Sequence, residues 1–176
     1  MQKFQELTRQ LLSIPSFFDV SNSLPKHSRK RYSFRRPSQV DRIILHHSGS
    51  KGMSIDDIAR FHVRDNKWPG IGYHIVINQD GTGYLVNKLD IQSYHCKGNN
   101  FRSIGICIND NCEHQVPTEK AEHMLCQILI VIALYFHEVD IFGHKELGST
   151  KCPGYFFPLD EMKNHYQSIK QELFIS

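Results

Sequence analysis

Nowhere in its 176 residues does the chain hold an apolar run long enough to cross a bilayer. The longest, Ile128 to Phe136, is nine residues, against the ~20 that a spanning helix needs. Cysteines are few and odd in number: Cys96, Cys107, Cys112, Cys126 and Cys152. A disulfide framework would leave one of these unpaired, so a buried free thiol or a metal ligand is the better reading for each. There is no internal repeat and no low-complexity tract. Residues 1–13 scatter Gln, Lys, Glu, Thr and Arg among apolar residues. They lack the apolar centre and the small-residue cleavage site of a signal peptide. The chain is therefore expected to be made in the cytoplasm, and any action outside the cell would need release or delivery by another factor.

What is present is ordinary for a globular domain: 40% hydrophobic and 22% charged residues. The length fits one domain and buries enough surface to fold without staples. The net charge of +3 conceals a local feature. Lys26 to Arg36 carries six Lys/Arg and no acid, so the remainder of the chain is formally −3. Such a run could meet an anionic polymer. No aromatic-basic pattern of a nucleic-acid motif surrounds it, so a solvated linker is the preferred reading and nucleic acid an unfavoured partner.

The chain divides at about residue 39. Residues 1–39 read as an appendage: a short amphipathic helix over Gln2 to Leu12, then Pro15, Pro25, the basic run and Pro37. Whether it packs on the domain, blocks a cleft or tethers the protein is open at this level. Residues 40–176 read as the domain proper. Arg42 to Leu45 is a buried strand ending at His46-His47. Ser54 with Asp57 opens a helix through about Val63. Tyr73 to Asn78 and Thr82 to Val86 are strands joined by an Asp80-Gly81 turn. Ser103 to Asn109 and Val139 to Phe142 are further strands. Thr118 to about His137 is the longest helix, apolar on more than one face and so expected to be well buried. A last helix covers Leu159 to about Leu173. Strands interleaved with helices predict an α/β or α+β fold with a central mixed sheet covered by helices.

Histidine is abundant, 11 in all. Two positions lie at strand ends: the pair His46-His47, and His144. Side chains alternate along a strand, so only one of His46 and His47 can face a common site. Cys152 follows His144 by eight residues in the turn Thr150-Lys-Cys-Pro-Gly154. Imidazole and thiolate are zinc ligands, and three of them leave a fourth position open, as in catalytic sites. On spacing alone, a packed His and a packed Cys remain the better reading.

The order of several short stretches changes that reading. They are Ile43-Ile-Leu-His-His-Ser48, Phe61-His62 before Trp68, Ile71-Gly-Tyr-His-Ile-Val-Ile77, Asp80-Gly-Thr82, His95 with Gly98 and Asn100, Ser103-Ile-Gly-Ile106, Pro117-Thr118, Gly143-His144 and Thr150-Lys-Cys-Pro-Gly154. In this order they make Arg42 to Gly154 resemble the type-2 N-acetylmuramoyl-L-alanine amidases, among them phage lysozyme-type amidases and peptidoglycan recognition proteins. The resemblance implies a single domain with a mostly parallel mixed sheet and Zn2+ held by His46, His144 and Cys152. It implies hydrolysis of the amide between N-acetylmuramic acid and L-alanine of peptidoglycan. His47 would point away. Tyr73 and Thr150 would stabilise the oxyanion. His95 and Asn100 would lie in the loop lining the cleft and bind substrate, although a packed role for His95 is equally open.

Two departures stand out. Phage members often carry Lys where this chain has Thr150, and a hydroxyl contributes no charge. Some cytoplasmic recycling members carry a catalytic Glu where this chain has Cys107, here read as a small buried side chain. Glu146 is either a partner orienting a ligand or a solvated acid, the latter preferred. The competing function is peptidoglycan recognition without cleavage, disfavoured because non-catalytic relatives typically lack the Cys ligand. The oligomeric state is not legible, with a monomer expected, and the expected site of action is the cell wall.

Overall fold

The computed structural model describes residues 1–136 and 138–174. Six strands form one sheet: β1 (Phe17–Asp19), β2 (Arg42–His47), β3 (Ile75–Ile77), β4 (Gly83–Leu85), β5 (Ser103–Ile108) and β6 (Asp140–Gly143). Their order across the sheet is β1-β4-β3-β5-β2-β6. The pairs β3/β5, β5/β2 and β2/β6 are parallel, β3/β4 is the antiparallel hairpin, and β1 runs parallel to β4. The sheet is thus mixed and mostly parallel, as expected.

Four helices cover it: α1 (Gln2–Leu11), α2 (Ile55–Arg64), α3 (Glu119–Tyr135) and α4 (Leu159–Phe174). Each begins or packs for a local reason. Ser54 Oγ accepts the Asp57 N–H and caps α2, and Thr118 Oγ1 accepts the Ala121 N–H and caps α3, each satisfying an otherwise orphaned donor. In α4, Leu159, Met162, Tyr166 and Ile169 recur at helical spacing and are buried. The helix α3 buries Leu125, Ile128, Leu129 and Ile132, but Ile130 and Leu134 are 39% and 51% exposed. It therefore lies on the outside of the fold with one face to the sheet, rather than being enclosed on all sides. The expected end of this helix at His137 falls outside the described residues. Among the described residues, no helix is long and apolar enough to cross a membrane.

The N-terminal 39 residues pack on the rest. Phe4, Leu7 and Leu11 of α1 share the main apolar core, the Phe4 and Phe136 rings lie 5.8 Å apart, and β1 adds an edge strand that the sequence reading left as a linker. The basic run is also not wholly solvated. Lys26, Arg29, Lys30, Arg31 and Arg36 are exposed, but Arg35 is 2% exposed. Its fork bonds backbone carbonyls of Leu89, Asn100, Phe101 and Ser103. A charge is buried only when its donors are so satisfied.

The sheet has two unlike faces. Ile43, Leu45, Ile75, Ile77, Ile104, Ile106 and Ile108 pack beneath α1, α3 and α4 in one apolar core. The alternate residues of the same strands face α2 and the site.

Candidate active site

His46 is the next-to-last residue of β2 and sits on the side opposite the main core, 1% exposed. His47 alternates away, and its Nδ1 accepts the Cys112 N–H at 3.0 Å. One strand thus sends one imidazole to the site and the other to fix a loop.

Strand β6 ends at Gly143 and the chain turns at once through a 3-10 turn, His144–Glu146. Glu146 closes that turn: its carboxylate accepts the Gly143 N–H at 2.7 Å and pairs with Lys163 of α4. It touches the turn bearing His144 rather than the imidazole. The two rings, His46 and His144, lie 4.7 Å apart between centroids.

Cys152 arrives from the following loop. Its Sγ lies 3.5 Å from His46 Nδ1 and accepts the His47 N–H at 3.4 Å. Ligand atoms of His46, His144 and Cys152 all lie within 4.8 Å of one another. Zinc at about 2.0–2.3 Å from each donor, in tetrahedral geometry, sets donors about 3.3–3.6 Å apart. The Cys152–His46 separation of 3.5 Å meets that requirement. Burial lowers the pKa of both imidazoles, which keeps them in the neutral form that ligates. Burial pushes the Cys152 thiol up to about 12; a cation beside it would favour the thiolate. Among the described residues the cluster has three donor residues. The donor set and spacing therefore fit zinc.

A hydrogen-bond chain orients His46. Its Nε2 meets His95 Nδ1 at 2.9 Å, His95 Nε2 meets Ser103 Oγ at 3.1 Å, and Ser103 Oγ donates to the Asn99 carbonyl at 2.7 Å. One direction satisfies every atom: Asn99 O can only accept, so His95 donates through Nε2 and accepts from His46 through Nδ1. His46 Nδ1, facing Cys152, is then left unprotonated as the ligand atom. Metal-bound histidines commonly donate their second N–H in this way. The His95 ring fits because residue 105 is glycine: a Cβ there would stand 2.5 Å from His95 Cγ.

Tyr73 was expected on a strand, with His74 behind the sheet. Strand β3 begins only at Ile75, so simple alternation does not reach them. His74 lies on the site face near His95, where its Nδ1 accepts the Gly105 N–H at 3.0 Å. The reason is Gly72: a Cβ there would stand 2.5 Å from the Tyr94 carbonyl and 2.7 Å from the Trp68 ring. The chain folds tightly under that ring before the strand starts. The Tyr73 ring lies 5.4 Å from His46. Burial raises its phenol pKa well above the ordinary value, with the Cys107 thiol as hydrogen-bond neighbour, so Tyr73 stays a proton donor. Cys107 is fully buried and is the β5 residue paired in register with His46.

Thr150 is exposed at the mouth of the Cys152 turn, and its Oγ1 accepts the Cys152 N–H at 3.2 Å. Asn100 lines the cleft, and its Oδ1 accepts the N–H groups of His95 and Cys96. Trp68 and Tyr94 form an aromatic wall beside His95 and His144. Tyr94, Ser103 and Gly105 were not singled out from the sequence. The available signals were the lone Trp68 ahead of Pro-Gly and the Gly inside Ser103-Ile-Gly-Ile106.

Comparison with known proteins agrees with this geometry. A family model described as N-acetylmuramoyl-L-alanine amidase matches residues 36–155. The endolysin of Escherichia phage T7 is 27% identical over 133 residues, covering 71% of this chain and 87% of its own length. The N-acetylmuramoyl-L-alanine amidase of Homo sapiens is 30% identical over 101 residues, 55% of this chain and 18% of its own length. Among solved structures, an endolysin N-acetylmuramoyl-L-alanine amidase from Clostridium intestinale superposes with a TM-score of 0.72 at 26% identity, covering 87% of this chain and 96% of that one. The bumblebee peptidoglycan-recognition protein SA shares the fold with a TM-score of 0.72 at 19% identity, covering 84% of this chain and 93% of its own. Matched across a stretch that contains both imidazoles and the thiol, the chain belongs to the N-acetylmuramoyl-L-alanine amidase family of peptidoglycan-cleaving enzymes.

Proposed function

We propose that the chain hydrolyses the amide joining the lactyl group of N-acetylmuramic acid to the first L-alanine of peptidoglycan, with zinc held by His46, His144 and Cys152. The observation that carries this reading is the convergence of three donors, distant in sequence, within 4.8 Å at the end of the sheet. Bound there, zinc supplies Lewis acidity towards a carbonyl and lowers the pKa of water.

The chain's own residues do the rest. Tyr73, held protonated by burial, donates to the oxygen of the lactyl carbonyl as charge develops on it. Thr150 Oγ1 accepts a backbone N–H, which leaves its own proton free for the same oxygen. His95 holds His46 in the ligating tautomer and presents an edge to the cleft. Asn100 has its carbonyl occupied, so its amide NH2 is what remains for a sugar or peptide acceptor. Water adds to the carbonyl, the C–N bond breaks, and the amine of L-alanine leaves with a proton.

The test is digestion of purified peptidoglycan followed by mass spectrometry. New L-alanine amino termini, abolished by a chelator and restored by zinc, are expected. Tyr73→Phe should keep its zinc and turn over about 10²-fold more slowly, the size seen for a lost oxyanion donor. Binding of the polymer with no new amino termini would place the chain on the recognition side instead.

A further inference from the structure

Between the end of β4 at Leu85 and the 3-10 turn at Asn100–Arg102, fourteen residues run with no helix or strand of their own. Loops of that length are uncommon in compact domains and are usually functional. This one carries Tyr94 and His95, and Asn100 stands at its end. It needs something outside itself to fix its shape.

That support comes from residues 32–35, which precede the stretch matched to the family. Arg35 N donates to Asp90 O at 2.8 Å and Gln92 N donates to Ser33 O at 2.8 Å. Phe34 and Ile91 form an isolated antiparallel bridge between these bonds. The Arg35 guanidinium reaches carbonyls on both sides of the loop, Leu89 O before it and Asn100 O and Ser103 O after it. Tyr32 donates its hydroxyl to Ile71 O at 2.7 Å and sets its ring edge-on to Tyr94, 5.1 Å between centroids. Tyr94 in turn stands edge-on to Trp68 at 6.1 Å. Trp68 and Tyr94 face the cleft; Tyr32 backs them from behind.

We infer that residues 32–35 are a positioning strap for the active site: Tyr32 props the aromatic wall, and Arg35 ties the loop that bears Tyr94 and His95. Tyr32 and Arg35 are positioning residues, touching neither substrate nor the ligands' donor atoms. The part of this inference that concerns catalysis rests on the amidase reading above. The part that concerns loop shape does not.

Trp68 is the single tryptophan of the chain, so its fluorescence reports the wall directly in the full-length protein. In Tyr32→Ala we expect a red-shifted Trp68 emission that acrylamide quenches more readily. An aromatic pair of this geometry corresponds to about three- to tenfold in an equilibrium. KM for a soluble N-acetylmuramoyl-tripeptide should rise by about that factor, with kcat changed less than about twofold and zinc content unaltered. Tyr32→Phe keeps the ring and should restore most of KM. Arg35→Lys keeps the charge without the fork, and hydrogen exchange of residues 88–102 should accelerate while α3 stays protected. Wild-type emission and KM in Tyr32→Ala would overturn the strap. So would exchange in Arg35→Lys that accelerates uniformly through α3, since that is general destabilisation. If the unmodified protein leaves the tripeptide uncut, the amidase reading fails, and the emission and exchange arms still decide the strap.

Discussion

Ile43, Leu45, Ile104, Ile106 and Ile108 look out of one face of the sheet; His46, Ser103, Gly105 and Cys107 look out of the other, from the same two strands. The first set needs only to be apolar and of the right volume. Each such side chain contributes about 1.5–3 kcal/mol by leaving water, and no single partner is obligatory. The second set is nearly as buried but mostly polar. An imidazole there costs about 1–3 kcal/mol for each nitrogen left unpaired, so every ring has named partners. One face tolerates exchange of shape; the other depends on the identity and direction of each hydrogen bond.

That contrast is open to test. The largest effect is expected on the polar face. His144→Ala and Cys152→Ala should lose metal and lower turnover by about a thousandfold or more, because Lewis-acid stabilisation is worth several kcal/mol. Their unfolding should stay cooperative. On the aliphatic face, Ile106→Ala should cost about 2–5 kcal/mol of stability, which lowers Tm by roughly 4–20 °C for a chain of this size. Its activity per folded molecule, measured well below Tm, should be unchanged. If Ile106→Ala reduces kcat as strongly as it reduces stability, the two faces are not separable.

The same contrast governs what the sequence disclosed. The apolar face was legible: period-two isoleucines in Ser103 to Ile108 and the caps at Ser54 and Thr118 placed β5, α2 and α3 to within a residue or two of their starts. The parity argument for His46 and His47 held because both stand on one regular strand. It did not hold for Tyr73 and His74, which precede β3, where the tight passage of Gly72 beneath Trp68 sets their direction. Nor could spacing disclose that Arg35, one of six cations in a run, is buried. Its partners are carbonyls up to 68 residues away, and a carbonyl has no letter in a sequence.

An intermediate effect should appear in acid. His62, on α2 beside Trp68, is buried and accepts the Gly72 N–H through Nδ1. Burial presses its pKa from the ordinary 6.5 to about 4. As pH falls through 6.5 the unfolded chain binds a proton that the folded chain refuses until about pH 4. Stability is therefore full above 6.5 and declines between 6.5 and 4, by roughly 3 kcal/mol for this one group. His62→Asn keeps an acceptor for Gly72 but does not titrate. Urea unfolding of chelator-treated protein at pH 7 and pH 4.5 should show a smaller acid loss in the variant. Equal losses would remove His62 from the account.

The smallest expected effect falls on His95, and it separates a polar face that is merely buried from one that is directed. If His95 only fills space over Gly105, a side chain of similar bulk should serve. If it accepts the His46 Nε2 proton, then His95→Leu should weaken zinc affinity by about 10–100-fold, the usual cost of losing a ligand's hydrogen-bond partner. His95→Gln, whose amide oxygen can accept that proton, should recover part of it. Competition against a chromophoric chelator measures both without reference to turnover. Equal affinity in the Leu and Gln variants would mean that the ring orients nothing, and the direction assigned to the chain from His46 to Asn99 would have to be abandoned.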